Sequence, residues 1–474
     1  MMEEWQFPPN YDDGYFPDPS SRYWFPERET MDPSARDAKI LGRIQEVMNY
    51  AWKNSAFYRR KWEEAGVHPD HIQSLEDFED RVPVITKQDL RDSQAGAPPF
   101  GDYLCIPEDE IHHIHGTSGT TGRPTVFGIG RRDWNTIANN QARVMWGMGI
   151  RPGDMVFIAS VFSLYMGSWG TLAGAERLGC KCFPFGAGAP GMTQRAVTWL
   201  KMMQPAGFYA TPSYALRLAE VAEEEGIDPR EFGLKVMFFS GEPGASIPGI
   251  RDRIADLFGA RVVDSGTMAE ITPWMNGAGS AETGGMMLWQ DMVYGEICDP
   301  HTDRRVPWGE QGTPVYTNLE RTSQPMIRLQ SGDLTHWVME ENPCGRTYPR
   351  LPRGIYGRID DMFQIRGENV YPSEIHATLN EMEGYGGEHR IVITREGSMD
   401  ELLIRLEPSK ELEARGVDAV KEFRDKAKHD LERMLGFRVG IEMVAADTFP
   451  RTDFKAKRVI EDRDLYSSLS QGAE

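Results

Sequence analysis

From Ser34 onward, apolar residues recur at helical spacing: Ile40, Leu41, Ile44, Val47, Met48 and Ala51. That pattern predicts a firm amphipathic helix. Residues 1–30 are aromatic and Pro-rich with little periodicity, and are expected to lie over the surface of the fold. Residues 70–110 break into short helices and loops, with Thr86 placed to cap a helix that opens on Lys-Gln-Asp-Leu. From 111 onward, short apolar runs alternate with amphipathic stretches. The run His112-His-Ile-His-Gly116 leads the series, followed by Met155–Ser160, Cys180–Gly186, Gly207–Pro212, Val236–Ser240 and Ala260–Gly266. Helices are predicted near 192–203, over 214–226 and over 250–259. This rhythm predicts an α/β fold with mostly parallel sheets covered by helices, and ligands at the C-terminal strand ends. Near 357–367 the pattern changes: 389–395, 401–408 and 438–446 read as strands, and Val417–Leu435 reads as an amphipathic helix. The expected division is a large domain, 1–359, and a small α+β domain, 360–474, joined at Gly357–Asp361.

Composition narrows the function. With 40% hydrophobic and 26% charged residues among 474, the chain can build a large core. Asp and Glu number 72 against 52 Lys and Arg, a net charge of −20. A nucleic-acid backbone is therefore excluded as the main partner, while a small anion in a local pocket is not. Five cysteines in so long a chain make no disulfide scaffold and fit a reducing, cytoplasmic setting. The opening residues lack a basic and then apolar signal pattern. The uncharged run Met155–Ala175 is long enough to span a membrane. Its Ser160, Ser163, Ser168 and Thr171, and its acidic flanks Asp154 and Glu176, favour a buried strand, a loop and a packed helix, and no membrane partner is expected.

The most unusual segment is His115-Gly-Thr-Ser-Gly-Thr-Thr-Gly-Arg-Pro-Thr125. Glycines and hydroxyl residues after a β-like run can turn several backbone N–H groups toward one anion. It is not a Walker loop, since no Gly-Lys-Ser/Thr ending follows. The string resembles the phosphate-binding loop of the adenylate-forming enzymes. Ala210-Thr-Pro-Ser-Tyr214, Gly241-Glu-Pro243, Arg328–Leu334, Gly357–Ile375 and Pro450–Arg458 resemble further motifs of that superfamily, in order. Together they resemble its phenylacetate–CoA ligase branch, which also has Thr where Thr125 replaces the usual Lys. The resemblance spans 36–465.

This resemblance implies a mobile small domain and a set of roles. Thr117, Ser118, Gly119, Thr120, Thr121 and Gly122 would hold the β- and γ-phosphates of ATP. Glu270 would bind Mg²⁺ and share in catalysis. Gly241, Glu242, Pro243, Thr267, Asp333 and Arg358 would contact the nucleotide, with Asp333 on the ribose. Asp360 would be the hinge, Gly367 would line the CoA tunnel, and Lys455 would sit between carboxylate and α-phosphate, with Lys457 as its rival. A carboxylate attacking phosphorus is anion meeting anion, so a cation and Mg²⁺ must offset the growing charge.

The chain also departs from the pattern. Gly266 stands where the family has an adenine-stacking Tyr, Thr267 where it has Gly, and Phe454 where a Gly precedes the lysine. Many relatives of this branch carry a Cys/His zinc site, but residues 271–297 hold neither Cys nor His, so no structural zinc is expected. His112, His113 and His115 read as structural, as do Cys180 and Cys182, with their thiols expected on opposite faces of a strand. For the acyl pocket, Phe162, Tyr165, Met166, Gly167, Ser213 and Tyr214, with Trp169, suit a flat aromatic ring. The expected activity is formation of an aryl-adenylate and its transfer to CoA. Transfer to an amine, a carrier protein or nitrite is the alternative, and a homodimer stays open.

Overall fold

The computed structural model describes residues 5–117, 125–186, 191–266, 268–271, 277–359, 363–365, 368–396, 399–449 and 458–461. Two compact units emerge, Met1–Ser246 with Arg251–Ile355, and Ile247–Ile250 with Tyr356–Glu474.

In the first unit, β1 (Ile111–Gly116) and β2 (Val126–Gly130) form an antiparallel ribbon of their own. The His-rich run therefore stands apart from the parallel series it was expected to lead. Strands β3 (Met155–Ile158), β4 (Lys181–Phe183), β5 (Gly207–Ala210), β6 (Val236–Phe239) and β7 (Arg261–Gly266) pair in the order β7-β6-β5-β3-β4, all parallel. Every residue of β5 and β6 is buried, as expected for strands covered on both faces. Antiparallel β8 (Gly277–Ala278) and β9 (Met286–Leu288) continue this sheet beyond β7. A second sheet, β10 (Val293–Cys298), β11 (Gln311–Asn318), β12 (Leu329–Gln330) and β13 (Asp333–His336), is antiparallel. A last strand, β14 (Arg350–Leu351), returns to β9.

The uncharged run resolves into β3, a loop and the helix Met166–Arg177. Among the described residues no helix is long and apolar enough to cross a membrane. That helix lies against Arg131–Met148 so closely that a Cβ on Gly174 would fall 2.3 Å from Gln141 Cβ. Residues 5–30 are not simply laid over the surface: Trp24 is 1% exposed and Glu29 is fully buried. Glu29 accepts from Arg143 Nε at 2.9 Å and Arg346 Nε at 2.8 Å, while Arg143 Nη1 donates to Asp291 at 2.6 Å. A buried charge must be paired, so this cluster draws the N-terminal segment inward. Cys180 precedes β4 and Cys182 lies within it. Residues two apart share a strand face, which corrects the expectation of opposite faces. Burial raises the two thiols to about 12 and about 11, so both stay protonated at neutral pH.

The second unit pairs Tyr385–Glu396 antiparallel with Met399–Pro408, and adds Gly440–Met443 and Val459–Glu461 in parallel at the edges. Helix Val417–Leu435 buries Phe423, Ala427 and Leu431, spaced by four, in the same core as the two long strands. His376 and His389 stack inside this unit, ring centroids 5.4 Å apart. Burial pushes both imidazoles well below their usual range, and Arg458 adds to the effect. An unfolded His titrates near about 6.5. Depressed folded-state values mean that stability is full above that pH and is lost as pH falls below it. Thermal melts between pH 7.5 and 5 are expected to show the transition of this unit falling on acidification. His389→Asn is expected to flatten that slope; an unchanged slope would show that the pair is not responsible.

Candidate active site

Parallel β3, β5, β6 and β7 end on one side of their sheet, where ligands of such folds bind. Segments marked in the sequence leave from these ends. Glu242, after β6, accepts from the backbone N–H of Ser213, after β5, at 2.7 Å. Tyr165, after β3, brings its hydroxyl to 3.3 Å from Ser240 Oγ and 3.4 Å from the Tyr209 hydroxyl. Tyr209 and Ser240 are 2.5 Å apart, oxygen to oxygen. Only glycine at 167 permits this packing, since a Cβ there would stand 2.5 Å from the Tyr209 oxygen and 2.6 Å from the Tyr165 ring.

The ribbon of β1 and β2 closes the base of segment 118–124. Thr117 N–H donates to Thr125 O at 3.0 Å, and Thr125 N–H donates to Thr117 Oγ1 at 3.3 Å. Gln94 donates to Val126 O at 2.7 Å and accepts from Val126 N–H at 3.3 Å, which fixes the strand leaving the loop. Leu164 O accepts from both Gly116 N–H and His115 Nδ1, each at 3.3 Å. One carbonyl thus ties the expected phosphate loop to the expected acyl segment.

Glu270 follows β7 and is fully buried. Neither carboxylate oxygen has a hydrogen-bond partner among the described residues. Lys87 Nζ lies 3.5 Å from Oε1, and Arg321 Nη1 donates to the Glu270 backbone oxygen at 2.6 Å. A buried carboxylate with so little pairing is costly in the free protein. It fits a hard cation such as Mg²⁺, which binds one or two carboxylates and completes its shell with phosphate and water.

The AMP-binding enzyme C-terminal domain family matches residues 367–463. The phenylacetate–coenzyme A ligase of Thermus thermophilus is 35% identical over 385 residues, 81% of this chain and 84% of that one. Its Escherichia coli K12 counterpart is 32% identical over 447 residues, 92% of this chain and 97% of that one. The chain belongs to the adenylate-forming enzymes, in their phenylacetate–CoA ligase-like branch. It is an ATP-dependent acyl–CoA ligase that works through an acyl-adenylate. Among solved structures, 2-hydroxyisobutyryl-CoA ligase in its postadenylation state, with R3-HIB-AMP, is 64% identical with a TM-score of 0.94, covering 99% of this chain and 98% of that one. The same ligase with 2-HIB-AMP and CoA, in its thioesterification state, is 65% identical with a TM-score of 0.76 over the same shares.

Against this family the structure brings together Tyr165, Gly167, Ser213, Gly241 and Glu242. Thr117 stands at the loop base, and Asp333 opens β13 with its N–H donating to Ser331 Oγ at 3.0 Å. Pro243 is exposed beside Glu242, while Tyr214 is buried in the first turn of the helix Pro212–Glu224. Phe162 meets Trp169 edge-on at 5.3 Å. Met166 instead packs with Ile129 and Ile137 in a buried cluster. Arg358 belongs to the second unit. Ser118, Gly119, Thr120, Thr121, Gly122, Thr267, Asp360, Gly367, Phe454, Lys455 and Lys457 lie outside the described residues. Gly266 has φ of 129°, a conformation that disfavours any side chain, so the motif's Tyr would be strained here. Sequence reasoning passed over Lys87, Arg321, Tyr209 and Ser240. The last two sat inside runs read only as strands.

Proposed function

We propose that the acid joined to CoA is a short hydroxy acid of the 2-hydroxyisobutyrate type, rather than the aryl acid expected from the sequence. The carrying observation is the 64% identity with 2-hydroxyisobutyryl-CoA ligase over 99% of the chain, against 32–35% with the phenylacetate ligases. Phe162 and Trp169, an aromatic pair after β3, keep phenylacetate as the second reading. In the proposed reaction Thr117 and residues 118–122 hold the ATP phosphates, and Glu270 holds Mg²⁺, which offsets phosphate charge when bound. Lys455 supplies the mobile cation for attack of the carboxylate on the α-phosphorus, and Asp333 and Arg358 hold the nucleotide. Rotation at Asp360 then presents Gly367 to the CoA thiol. Pyrophosphate release should be measured with 2-hydroxyisobutyrate, isobutyrate, phenylacetate and benzoate, with and without CoA. The hydroxy acid is expected to show the highest kcat/KM and to give thioester only when CoA is present. Faster turnover of phenylacetate would sink this reading.

A further inference from the structure

We infer that the buried segment Leu319–Gln324 sets the spacing between the proposed Mg²⁺ seat and the phosphate loop, with Arg321 as the residue that positions Glu270. This rests on the reading that Glu270 holds Mg²⁺. Glu270 lies in a single short 3₁₀ turn, Ala269–Ile271. So short a turn bonds few of its own carbonyls, and buried carbonyls must find partners elsewhere. Arg321 Nη1 donates to Glu270 O at 2.6 Å, and Asn318 Nδ2 donates to Ile271 O at 3.2 Å. The hold is on the backbone, and the carboxylate keeps no hydrogen-bond partner among the described residues. Arg321 is itself buried, and its Nε and Nη2 have no hydrogen-bond partner among the described residues. A buried guanidinium bonded at one nitrogen costs stability. A purely structural role accounts poorly for such a group, whereas a hold on the residue that would carry the metal accounts for it.

The other end of the segment reaches β2, the strand that leaves the phosphate loop. Gly130 N–H donates to Ser323 Oγ at 2.7 Å, and Gly128 N–H donates to Gln324 Oε1 at 2.9 Å. A Cβ on Gly130 would stand 3.1 Å from Ser323 Oγ, so glycine permits this approach. Between the two ends, the Asp133 carboxylate accepts from Thr322 N–H at 2.9 Å and from Ser323 N–H at 2.6 Å. Glu320 accepts from the Tyr11 hydroxyl and from Arg28 Nη2, each at 2.8 Å. All residues from Leu319 to Gln324 are buried. A close-packed segment held along its length has little freedom to change the distance between what its ends hold.

The test uses Mn²⁺ as the probe, with α,β-methylene-ATP bound, and reads binding by loss of the free ion's electron paramagnetic resonance signal. Wild type, Arg321→Met, Arg321→Lys, Ser323→Ala and Glu270→Gln are compared. Arg321→Met is expected to weaken Mn²⁺ binding about tenfold or more, the scale of losing a partner that orients a metal ligand. By charge alone, removing a nearby cation would tighten it, so a weakening reads position rather than charge. Arg321→Lys keeps a donor and is expected to recover part of the loss. Ser323→Ala is expected to weaken Mn²⁺ by a smaller factor. Thioester formation from pre-formed acyl-adenylate and CoA should stay near the wild-type rate in these variants. A matching loss of that step would mark a general defect and overturn the inference. Thermal melts check folding, and if Arg321→Met does not fold, Arg321→Lys and Ser323→Ala carry the test. Wild-type or tighter Mn²⁺ binding in the folded Arg321 variants, or in Ser323→Ala, overturns the inference while Glu270→Gln still weakens binding. If Glu270→Gln leaves Mn²⁺ binding unchanged, the reading of the seat fails and takes the inference with it.

Discussion

Replacing Lys455 with alanine is expected to slow acyl-adenylate formation by roughly 10²–10³-fold, the scale of losing one transition-state donor. The charge is needed as the carboxylate closes on the α-phosphorus and five-coordinate phosphorus gathers negative charge. A lysine suits this task because its compact charge can arrive and leave with a moving domain. An interaction made only in the transition state lowers kcat more than it raises KM. The second half-reaction has no such phosphorus to stabilise. With pre-formed acyl-adenylate and CoA supplied, Lys455→Ala is therefore expected to make thioester at near the wild-type rate. Asp360→Pro should do the opposite, since a fixed φ impedes rotation while the adenylation arrangement survives. Both steps must be measured on both variants. Normal adenylation by Lys455→Ala together with a slow Lys457→Ala would move the role to the neighbour. Equal loss of both steps in both variants would remove the two-position account.

The parallel half of the main sheet was legible because burial on both faces leaves uninterrupted apolar runs, as in Val236-Met-Phe-Phe239. Its antiparallel extension was not: β8 has two residues and β9 three, too short for any alternation to show. The burial of the N-terminal segment also escaped, for a different reason. Glu29 is held by Arg143 and Arg346, which lie 114 and 317 positions away. Charge pairing over such separations leaves no local pattern, and an acidic residue in a Pro-rich segment reads as solvated.

The site divides in the same way. Glu270 and the loop from Thr117 were singled out because their residue types stand in a recognisable string, and the motif carries information that spacing alone does not. Tyr209 and Ser240 carried no such string. Tyr209 lies within a buried strand and Ser240 follows one, and a hydroxyl there looks like core until the neighbouring strand is known. The cluster exists only because β5 and β6 pair in parallel, register Tyr209 beside Phe238, and because Tyr165 folds back over Gly167.

Glu270→Gln is expected to lower the adenylation rate by roughly 10²–10³-fold and, against the usual trend for buried positions, to raise the thermal midpoint. The carboxylate is fully buried, lacks hydrogen-bond partners among the described residues, also interacts with the charge of the buried Arg321, whose stronger acidic partner is Asp133, and has Lys87 Nζ at 3.5 Å. That geometry is long for a charge-assisted bond, which prefers about 2.7–2.9 Å. Coulomb attraction at such a distance offsets only part of the desolvation of a buried carboxylate. The amide of Gln keeps the shape and removes the charge. Lys87 is partly exposed, at 25% of its side chain, and can turn to water when its partner is neutral. Folding therefore gains, while the proposed seat for Mg²⁺ loses its negative charge. A residue whose charge burdens the fold and serves the reaction is what a site tuned for a cation should contain. Differential scanning calorimetry without nucleotide would read the first effect. A Mg²⁺ titration of pyrophosphate release would read the second, with half-saturation expected to move up at least about tenfold, the scale of losing a metal-site contact. A lower midpoint with unchanged Mg²⁺ dependence would instead make Glu270 a structural partner of Lys87.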